Sequence, residues 1–365
     1  MKNLKIFKNA RVVVTGHTGF KGSWLTAWLK ELGANVMGIS LDPHTSPSHF
    51  EVSKIGKGIR DVRLDIRNRK KLEKKIITFK PQFVFHLAAQ ALVRKSYENP
   101  LLTWQTNVLG TVNILETLKK LKNKCNVVII TSDKCYLNKE IHYGYKETDI
   151  LGGKDPYSSS KASAEILIKS YVNSFFSKGS KIRVATARAG NVIGGGDWAD
   201  NRIIPDCVRS WSKNKKAKLR NPNSTRPWQH VLEAVGGYLC LAVNLSFNNK
   251  LHGESFNFGP SLSKEHSVLE LVRTMSKYWR NVSWQKLSKS KKEYFESGLL
   301  RLNCRKANKI LKWKTILKFD ELMVMVADWY KYYYLNKKNV LKKTSEQIKK
   351  YQFLASKRGL KWAKI

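Results

Sequence analysis

The sequence is short of acidic residues. Only 27 Asp and Glu residues stand against 68 Lys and Arg residues, which gives a formal net charge of +41. A basic surface attracts phosphate backbones, so the charge alone leaves nucleic-acid binding open. However, the basic clusters lack the interleaved aromatic residues that stack on bases, and no zinc-finger or basic-zipper spacing is present. We therefore predict no specific nucleic-acid partner and interpret the excess lysine as charge on solvated surfaces.

Long apolar runs and paired cysteines are missing as well. No stretch approaches the roughly 18 consecutive apolar residues of a membrane helix, and the N-terminus lacks the apolar segment of a signal peptide. The five cysteines are widely spaced without a Cys-x-x-Cys pair, and His, Cys and carboxylate residues do not cluster at metal-ligand spacing. These absences predict a reduced, cytoplasmic protein with no metal site and no membrane partner.

Apolar runs of strand length alternate with amphipathic stretches through the first half of the chain. This alternation is typical of β-α-β units, so the sequence predicts the α/β class with a doubly wound, Rossmann-type parallel sheet. The clearest predicted strands lie at 11–14, 35–40, 83–86, 127–131 and 182–186, and the clearest helices at 22–32, 100–121 and 157–176.

Beyond residue 188 the pattern becomes irregular and prolines punctuate short segments. Such irregularity suits a smaller, mixed C-terminal lobe that supplies substrate contacts. We therefore expect a nucleotide-binding domain at 1–187, a substrate-binding lobe at 188–330 that interleaves with it, and a basic, helical tail at 331–365.

A glycine-rich segment links the first predicted strand to the first predicted helix. Glycines let the backbone pass close to a pyrophosphate, whose charge then lies at the positive end of the helix. Such a motif is weak evidence alone but much stronger between a strand and a helix. The segment predicts a dinucleotide cofactor held by Gly16, Thr18, Gly19, Phe20 and Gly22.

Two further segments place proton-handling groups in one predicted pocket. Tyr157 and Lys161 are four residues apart and share a helix face. An ammonium beside a phenol lowers the pKa of the phenol, which makes Tyr157 a usable base. Ser132, Asp133 and Lys134 follow a predicted strand that we expect to face this helix. A simple alcohol dehydrogenase needs only the Ser, the Tyr and the Lys, so the extra Asp-Lys pair indicates a second chemical step.

The glycine spacing and the Tyr157-x-x-x-Lys161 pair resemble the extended branch of the short-chain dehydrogenase/reductase superfamily. Within that branch, Ser or Thr followed by an Asp-Glu pair is typical of the nucleotide-sugar 4,6-dehydratases. Here Lys134 stands where those relatives have Glu, and this Asp-Lys variant resembles the members that act on CDP-glucose. The likeness extends from about residue 4 to 335 and includes the segments 86–94, 187–198, 202–205 and 226–230.

The resemblance implies a tightly held NAD molecule. An acidic ribose ligand is expected at the end of the second strand, but position 40 is Ser and Asp42 lies two residues on. Asp42 is either that ligand or a residue of a surface turn. No arginine occurs at 40–43, which favours NAD over NADP. The residues that match the other cofactor contacts of the branch are Asp65, Ile66, Ala88, Ala89, Tyr157 and Lys161.

The reaction that the resemblance implies has no net redox change. Tyr157 takes the C4 hydroxyl proton and Ser132 hydrogen-bonds the C4 oxygen while NAD accepts a hydride from C4. The resulting ketone acidifies the C5 proton, the C6 hydroxyl leaves as water, and then the hydride returns to C6 and a proton to C5. Asp133, if buried, is the natural acid for the C6 hydroxyl. Lys134 is the base at C5, or it stays charged and stabilises the enolate while another group removes the proton.

The resemblance also implies which residues bind the nucleotide sugar. Guanidinium groups fit phosphate oxygens in pairs, so Arg202 and Arg226, together with Asn191, are the expected pyrophosphate ligands, whereas Arg220 is expected near the base or ribose. His86 and His230 are expected to pack or cap rather than to take part in the chemistry. The implied product, CDP-4-keto-6-deoxyglucose, serves the deoxysugars of surface polysaccharide such as lipopolysaccharide O-antigen. The matching substrate positions are Gln90, Arg94, Asn191, Arg202, Arg220 and Arg226.

Two rival functions stay open. A dehydratase or epimerase of the same fold could act on another nucleotide sugar, and a Rossmann-fold regulator could bind NAD and nucleic acid through the basic surface. The proton-handling groups favour a lyase over the regulator. Members of the extended branch commonly dimerise through two helices per subunit, so the resemblance implies a homodimer or homotetramer with contacts through 100–121 and 157–176.

Overall fold

The structure is a computed structural model that describes residues 3–141, 143–177, 179–260, 265–279, 282–286, 299–336 and 339–364. Seven parallel strands form the central sheet, and short two-stranded pairs lie outside it. In chain order the strands are β1 (Arg11–Thr15), β2 (Asn35–Ser40), β3 (Arg60–Arg63), β4 (Phe83–His86), β5 (Cys125–Ile130), β6 (Ile182–Ala189), β7 (Val192–Ile193), β8 (Ala217–Leu219), β9 (Thr225–Arg226), β10 (Gln229–His230), β11 (Ser255–Phe258), β12 (His266–Ser267) and β13 (Trp284–Lys286).

Helices cover both faces of the sheet and continue to the C-terminal end. A π-helical turn joins the fifth and sixth helices into one nearly continuous segment, as the single predicted helix over 100–121 anticipated. The helices are α1 (Phe20–Glu31), α2 (His49–Val52), α3 (Arg69–Phe79), α4 (Val93–Glu98), α5 (Pro100–Trp104), α6 (Gly110–Lys119), α7 (Pro156–Phe175), α8 (Ile203–Trp211), α9 (Val231–Phe247), α10 (Val268–Ser276), α11 (Phe319–Asn336) and α12 (Val340–Lys357).

The strand order in the sheet is β11-β6-β5-β4-β1-β2-β3, and each neighbouring pair is parallel. This doubly wound order confirms the predicted Rossmann-type fold. The direction of strand addition reverses between β1 and β4. In such sheets ligands bind in the crevice beyond the carboxyl ends of the strands at this reversal.

The strand β1 shows why both faces of the sheet are buried. Val12 and Val14 point into a core that includes residues of α1 and α9, whereas Val13 points into a core with residues of α3 and α6. Side chains alternate between the two faces of a strand, so a fully apolar strand needs cover on both sides. The continuous apolar runs of the sequence therefore predicted buried parallel strands.

The second lobe shares the central sheet. Besides the strand pairs β7–β10, β8–β13 and β9–β12, it supplies β11, which pairs with β6 as the seventh strand. The division proposed at residue 187 therefore separates stretches of sequence that build one sheet together. None of the helices in the described ranges combines the length and the apolar character needed to cross a bilayer.

The C-terminal helices are packed against the first domain. The boundary expected after residue 330 falls inside α11, which runs from Phe319 to Asn336. Its buried residues include Trp329 and Tyr330, directly before that boundary. On α12, the Thr344 hydroxyl bonds with His49 Nε2 at 3.0 Å and accepts from Trp329 Nε1 at 3.1 Å. Buried hydrogen bonds thus tie α12 to α11 and to the segment after β2.

Candidate functional site

The glycine-rich turn lies at the carboxyl end of β1 and leads into α1. Gly16 has a φ of 74°, and a Cβ there would lie 2.7 Å from Ala88 N. A Cβ at Gly22 would lie 2.0 Å from Gly16 O, and Gly19 is the N-cap of α1. Only glycine fits positions 16 and 22, so the turn is closed tightly. The first amides of α1, which have no partner within the helix, then lie at the crevice.

The end of β2 borders this turn and supplies the predicted ribose position. Thr18 Oγ1 lies 2.8 Å from Ser40 Oγ and donates to Leu41 O at 2.9 Å. Asp42 is 86% exposed, and its Oδ1 lies 3.6 Å from Arg63 Nε. Arg63 also donates to Leu41 O at 3.1 Å. Although residues 40–43 contain no arginine, a guanidinium group does lie at the end of β2, because Arg63 on the neighbouring strand β3 reaches it.

Four of the predicted cofactor residues, Asp65, Ile66, Ala88 and Ala89, follow β3 and β4. Asp65 Oδ2 accepts from Arg67 Nη2 at 2.6 Å, and this bond lowers the pKa of Asp65. Ile66 is buried against the start of α6, where a Cβ at Gly110 would lie 2.5 Å from Ile66 Cδ1. Ala88 N donates to Thr15 Oγ1 at 3.2 Å, and Ala89 adjoins it. These residues lie at the carboxyl edge of the sheet, and their cofactor contacts stay predictions.

The segment of Ser132, Asp133 and Lys134 forms a short 3₁₀ turn directly after β5. Ser132 Oγ donates to Asp133 Oδ1 at 2.9 Å and accepts from Lys134 N at 3.2 Å. The Asp133 carboxylate is buried so close to Gly190 that a Cβ there would lie 1.9 Å from Oδ2. Lys134 is partly buried and lines a small recess that Asp155 borders at the start of α7.

The helix α7 brings Tyr157 and Lys161 to this turn. Asp155 caps the helix by accepting from Ser158 N at 2.9 Å, and Pro156 occupies its first position. Tyr157 and Lys161 are both buried, α7 packs against the turn that follows β5, and the Tyr157 phenol interacts with Ser132 and Asp133. The structure thus brings the groups after β5 and the groups on α7 into one site.

The pKa expected for Tyr157 was wrong in direction. Burial raises the pKa of Tyr157 to about 12, and the nearby Ser132 hydroxyl opposes this effect without cancelling it. Burial also lowers the pKa of Lys161 to about 8, and its ammonium lies 3.5 Å from Ile130 O. Desolvation disfavours the charged form of both groups. The spacing of the two residues in the sequence does not show how far folding removes their side chains from water.

Lys21, which was not among the predicted site residues, joins this cluster of charges. It is the second residue of α1 and is partly buried. Burial lowers the pKa of Lys21 to about 8, and its ammonium interacts electrostatically with Arg202, Asp133 and Asp197. It also acts on Lys161. The signal in the sequence was a lysine inside a glycine-rich turn, where a cofactor contact was already expected.

Three of the predicted arginines converge on the loop before α8. Arg202 Nη1 donates to Asp197 Oδ2 at 2.7 Å. From other parts of the chain, Arg94 Nη1 donates to Asn201 Oδ1 at 3.0 Å and Arg220 Nη2 donates to Asn201 O at 3.1 Å. Guanidinium groups from three segments therefore lie around one loop, an arrangement suited to an anionic ligand.

The other predicted substrate residues occupy separate places. Gln90 N donates to Asn107 Oδ1 at 2.8 Å, and Gln90 Nε2 donates to Thr103 Oγ1 at 3.0 Å, which fixes its side chain next to α5. Asn191 adopts a φ of 50° just after β6. Arg226 lies on β9 and donates to its neighbour's carbonyl at 2.8 Å. The substrate contacts of these three residues stay predictions.

A buried ion pair that sequence reasoning missed lies beneath the site. Arg188 Nε and Glu165 Oε1 are 2.9 Å apart, and both side chains are 3% exposed. Glu165 Oε1 also accepts from Thr131 Oγ1 at 2.5 Å, and Arg188 Nη1 donates to the Tyr136 hydroxyl at 2.7 Å. The pair links α7 to β5 and β6, so it fixes the two halves of the site relative to each other.

The two histidines singled out in the sequence are buried. His86 hydrogen-bonds with Thr15 at 2.7 Å and Thr111 at 3.2 Å, and His230 Nδ1 accepts from Leu232 N at 3.2 Å as the N-cap of α9. Burial lowers the pKa of both to about 3, so they are neutral near pH 7. Within the part of the chain that the structure describes, no three His, Cys, Asp or Glu side chains form a metal-binding group.

Comparison with known proteins identifies the family. Residues 13–326 match the family model described as GDP-mannose 4,6 dehydratase. A CDP-glucose 4,6-dehydratase of Salmonella typhimurium is 45% identical over 336 residues, which cover 91% of this chain and 93% of that protein. This chain belongs to the nucleotide-sugar 4,6-dehydratase family. The predicted membership of the extended short-chain dehydrogenase/reductases is thereby confirmed.

More distant members and relatives of the family share the fold. A UDP-glucose 4-epimerase of Mycoplasma genitalium is 24% identical, with 89% of this chain and 97% of that protein covered. An epimerase structure from Methanothermobacter thermautotrophicus has a TM-score of 0.77 at 22% identity, covering 91% of this chain and 95% of that one. The dTDP-glucose 4,6-dehydratase of Bacillus anthracis, solved in complex with NAD, has a TM-score of 0.70 at 23% identity and covers 88% and 96%.

Proposed function

We propose that this protein converts CDP-glucose to CDP-4-keto-6-deoxyglucose with bound NAD, as a 4,6-dehydratase. The observation that carries the proposal is the meeting of Ser132, Asp133 and Lys134 with Tyr157 and Lys161 beside the glycine turn. A dehydrogenase would have no use for the Asp-Lys pair, whereas loss of water needs an acid and a base. The 45% identity to a CDP-glucose 4,6-dehydratase supports this substrate over other nucleotide sugars.

The residues at the carboxyl edge of the sheet fit NAD. Without a Cβ at Gly16 and Gly22 the turn closes tightly against Ala88 and against its own backbone, which places the first amides of α1 where they can donate to a pyrophosphate. When bound, NAD supplies an acceptor for the C4 hydride and returns that hydride to C6. We propose that the chain holds it through Gly16, Thr18, Gly19, Phe20, Gly22, Asp42, Asp65, Ile66, Ala88, Ala89, Tyr157 and Lys161.

Tyr157 removes the proton of the C4 hydroxyl, and Ser132 hydrogen-bonds the oxygen that becomes the ketone. The two side chains lie on packed neighbouring segments and interact with each other, so one sugar oxygen can contact both. A pKa of about 12 disfavours the ionised phenol at pH 7, so Tyr157 needs neighbouring positive charge. Arg202 acts on Tyr157 in that direction.

Asp133 protonates the departing C6 hydroxyl, and Lys134 removes the C5 proton; a proton returns to C5 when the hydride is delivered to C6. The C5–C6 double bond forms as the C6–O bond breaks, and one water molecule leaves. The buried Asp133 carboxyl lies within 2.9 Å of Ser132 Oγ, so it is close to the C4 position. The alternative is a charged Lys134 that stabilises the enolate while another group takes the C5 proton.

The arginines around the loop before α8 bind the pyrophosphate of the nucleotide sugar. Arg94, Arg202 and Arg220 bring three guanidinium groups to this loop, and guanidinium pairs well with phosphate oxygens. We propose that Gln90, Asn191 and Arg226 complete the substrate contacts.

The substrate is tested by turnover of CDP-, dTDP-, GDP- and UDP-glucose, with the 4-keto-6-deoxy product followed by its absorbance in alkali and by NMR. We expect CDP-glucose to have the highest kcat/KM. Y157F and K134M should each lower kcat by about 10²- to 10⁴-fold, because each removes a proton-transfer group. Turnover of another nucleotide sugar alone would contradict the CDP assignment, and turnover of none would contradict dehydration.

We further propose a cytoplasmic homodimer, or a homotetramer built from it, that forms through α5, α6 and α7. These helices expose large apolar side chains that a monomer would leave in water. A mass determination in solution tests the oligomeric state. We expect the native protein to be a dimer or tetramer and I166D to be monomeric. A monomeric native protein would contradict the proposal. The exposed residues are Leu101 on α5, Leu109 in the π-helical turn between α5 and α6, and Ile166 and Phe175 on α7.

A further inference from the structure

Four successive backbone carbonyls of the loop before α8 each accept a hydrogen bond from a different helix. These carbonyls belong to buried residues, so donors from elsewhere in the chain satisfy them and fix the path of the loop. The bonds are Trp24 Nε1 to Gly195 O at 2.9 Å, His49 N to Gly196 O at 3.2 Å, the Tyr330 hydroxyl to Asp197 O at 2.5 Å and Arg209 Nη1 to Trp198 O at 2.7 Å.

The loop also packs closely against α11. A Cβ at Gly195 would lie 2.1 Å from Trp329 Cγ, so the backbone of the loop touches this indole directly. The Trp198 ring meets the Tyr330 ring edge-on, with 5.7 Å between their centroids, and the Tyr333 ring at 4.9 Å. Tyr330 is fully buried, so its hydroxyl can affect the site only through the loop.

Asp197 connects the loop to Arg202. Its carboxylate is 6% exposed and accepts from Arg202 Nη1 at 2.7 Å, whereas the Arg202 side chain is 37% exposed. Within the described ranges the guanidinium makes no other hydrogen bond, so its remaining N–H groups are available to a ligand. The nearby carboxylates of Asp200 and Asp206 pair with Arg209 instead, at 3.1 and 2.5 Å. The direction of the Arg202 guanidinium therefore depends on Asp197.

The Tyr330 hydroxyl and the Arg202 guanidinium are thus linked through a single residue, Asp197. We propose that Tyr330 is a positioning residue that directs Arg202 toward the pyrophosphate of the nucleotide sugar. Its hydroxyl fixes the backbone of Asp197, and the Asp197 carboxylate then fixes the guanidinium. A guanidinium held in place beforehand loses less conformational freedom when a phosphate binds. This inference rests on the proposed function, in which Arg202 binds the pyrophosphate, and it gives α11 a part in substrate binding.

The test is steady-state turnover of CDP-glucose by the full-length protein and its Y330F variant. Y330F keeps the ring that packs against Trp198 and removes only the donor to Asp197 O. We expect KM to rise about three- to tenfold, the scale of one lost hydrogen bond, and kcat to stay within about twofold of the native value. Y351F is the matched control, because it removes another fully buried tyrosine hydroxyl, which donates to Glu233 Oε2 at 2.6 Å. Y351F should lower the free energy of unfolding and leave KM unchanged.

The dependence on Arg202 separates positioning from a general loss of stability. R202M should itself raise KM, because a charge-assisted contact to the pyrophosphate is lost. Adding Y330F to R202M should then change KM little, since the hydroxyl acts through a guanidinium that is no longer present. The free energy of unfolding should still fall when Y330F is added, because Asp197 O loses its donor in either background.

An unchanged KM in Y330F, a comparable rise in Y351F, or an equal rise on adding Y330F with and without Arg202 would overturn the inference while leaving the proposed function intact. An unchanged KM in R202M would instead contradict the role of Arg202 in the proposed function.

Discussion

The cofactor side and the substrate side of the site are built in different ways. At the glycine turn, Gly16 and Gly22 are six residues apart and contact each other through backbone. At the loop before α8, Arg94 reaches Asn201 across 107 residues of sequence, and Arg220 meets the same asparagine from the other direction. The cofactor side is thus a local structure, whereas the substrate side depends on how distant segments pack.

This difference has consequences for mutation. The backbone of the glycine turn leaves no room for an added atom, so a single methyl group there should abolish cofactor binding. Substrate affinity should instead fall in steps when the arginines around the loop are replaced one at a time, because each contributes a part of the binding free energy. Substitutions of Gly22 and Arg220 test this contrast directly, and two predictions about stability, at Arg188 and Glu233, lie between them in expected size.

Gly22→Ala should abolish cofactor binding, because its Cβ would lie 2.0 Å from Gly16 O and the turn cannot open without moving α1. NADH fluorescence measures the loss. Gly259→Ala is the matched control, since its Cβ would meet nothing closer than 3.6 Å, and its binding should stay normal. Normal NADH affinity in Gly22→Ala would show that the turn is not the cofactor site.

Arg188→Met should destabilise the protein by about 3–5 kcal/mol, because it leaves the buried Glu165 carboxylate without its partner. Chemical denaturation gives the free energy of unfolding. The double variant E165Q/R188M removes the uncompensated charge and should recover part of the loss. A loss below about 1 kcal/mol in the single variant would mean that the pair does not hold the two sides of the site together.

The buried carboxyl of Glu233, which contacts the C-terminal part of the chain, predicts that the free energy of unfolding depends on pH. Burial raises its pKa from 4.5 to about 7, while hydrogen bonds from Leu317 N, the Tyr351 hydroxyl and Ile316 N act in the opposite direction. The folded state binds this proton more tightly than the unfolded state. The contribution is therefore complete below pH 4.5 and is lost as the pH rises through 7.

The free energy of unfolding of the native protein, measured relative to that of E233Q, should accordingly fall by about 3 kcal/mol between pH 4.5 and 8. Urea denaturation of both proteins across this range provides the comparison. A difference that is constant with pH would show that Glu233 does not titrate on folding.

Arg220→Met should raise the KM for CDP-glucose about tenfold and leave kcat nearly unchanged, because one of several charge-assisted contacts to pyrophosphate is lost. Arg273→Met removes an exposed arginine of α10 and is the charge-matched control. A loss in kcat as large as the rise in KM would place Arg220 in the chemical step and weaken the contrast between the two sides.

The same contrast explains what could be predicted from the sequence. The strands and helices, the glycine turn and the shared face of Tyr157 and Lys161 follow from periodicity and spacing, because these patterns are local; the parallel sheet then follows from the alternation of strands and helices. The Glu165–Arg188 pair and the convergence of arginines on Asn201 depend on tertiary packing. No local pattern marks them.

The charge states of the site were harder to predict than its composition. The four-residue spacing of Tyr157 and Lys161 correctly indicated a shared face, but burial raises the pKa of Tyr157 instead of lowering it. Lys21 was visible inside the glycine motif, yet the electrostatic interaction of its ammonium with Asp133 arises only when the chain folds. Desolvation and long-range charge are properties of the fold.

The central claim is that one bound cofactor removes the C4 hydride and returns it within the same sugar. CDP-glucose carrying deuterium at C4 tests it directly, with the product analysed by NMR and mass spectrometry. We predict a product with deuterium at C6, a solvent-derived proton at C5 and no net formation of NADH. Deuterium that remains at C4 or is lost to solvent, or NADH formed in proportion to product, would contradict the claim.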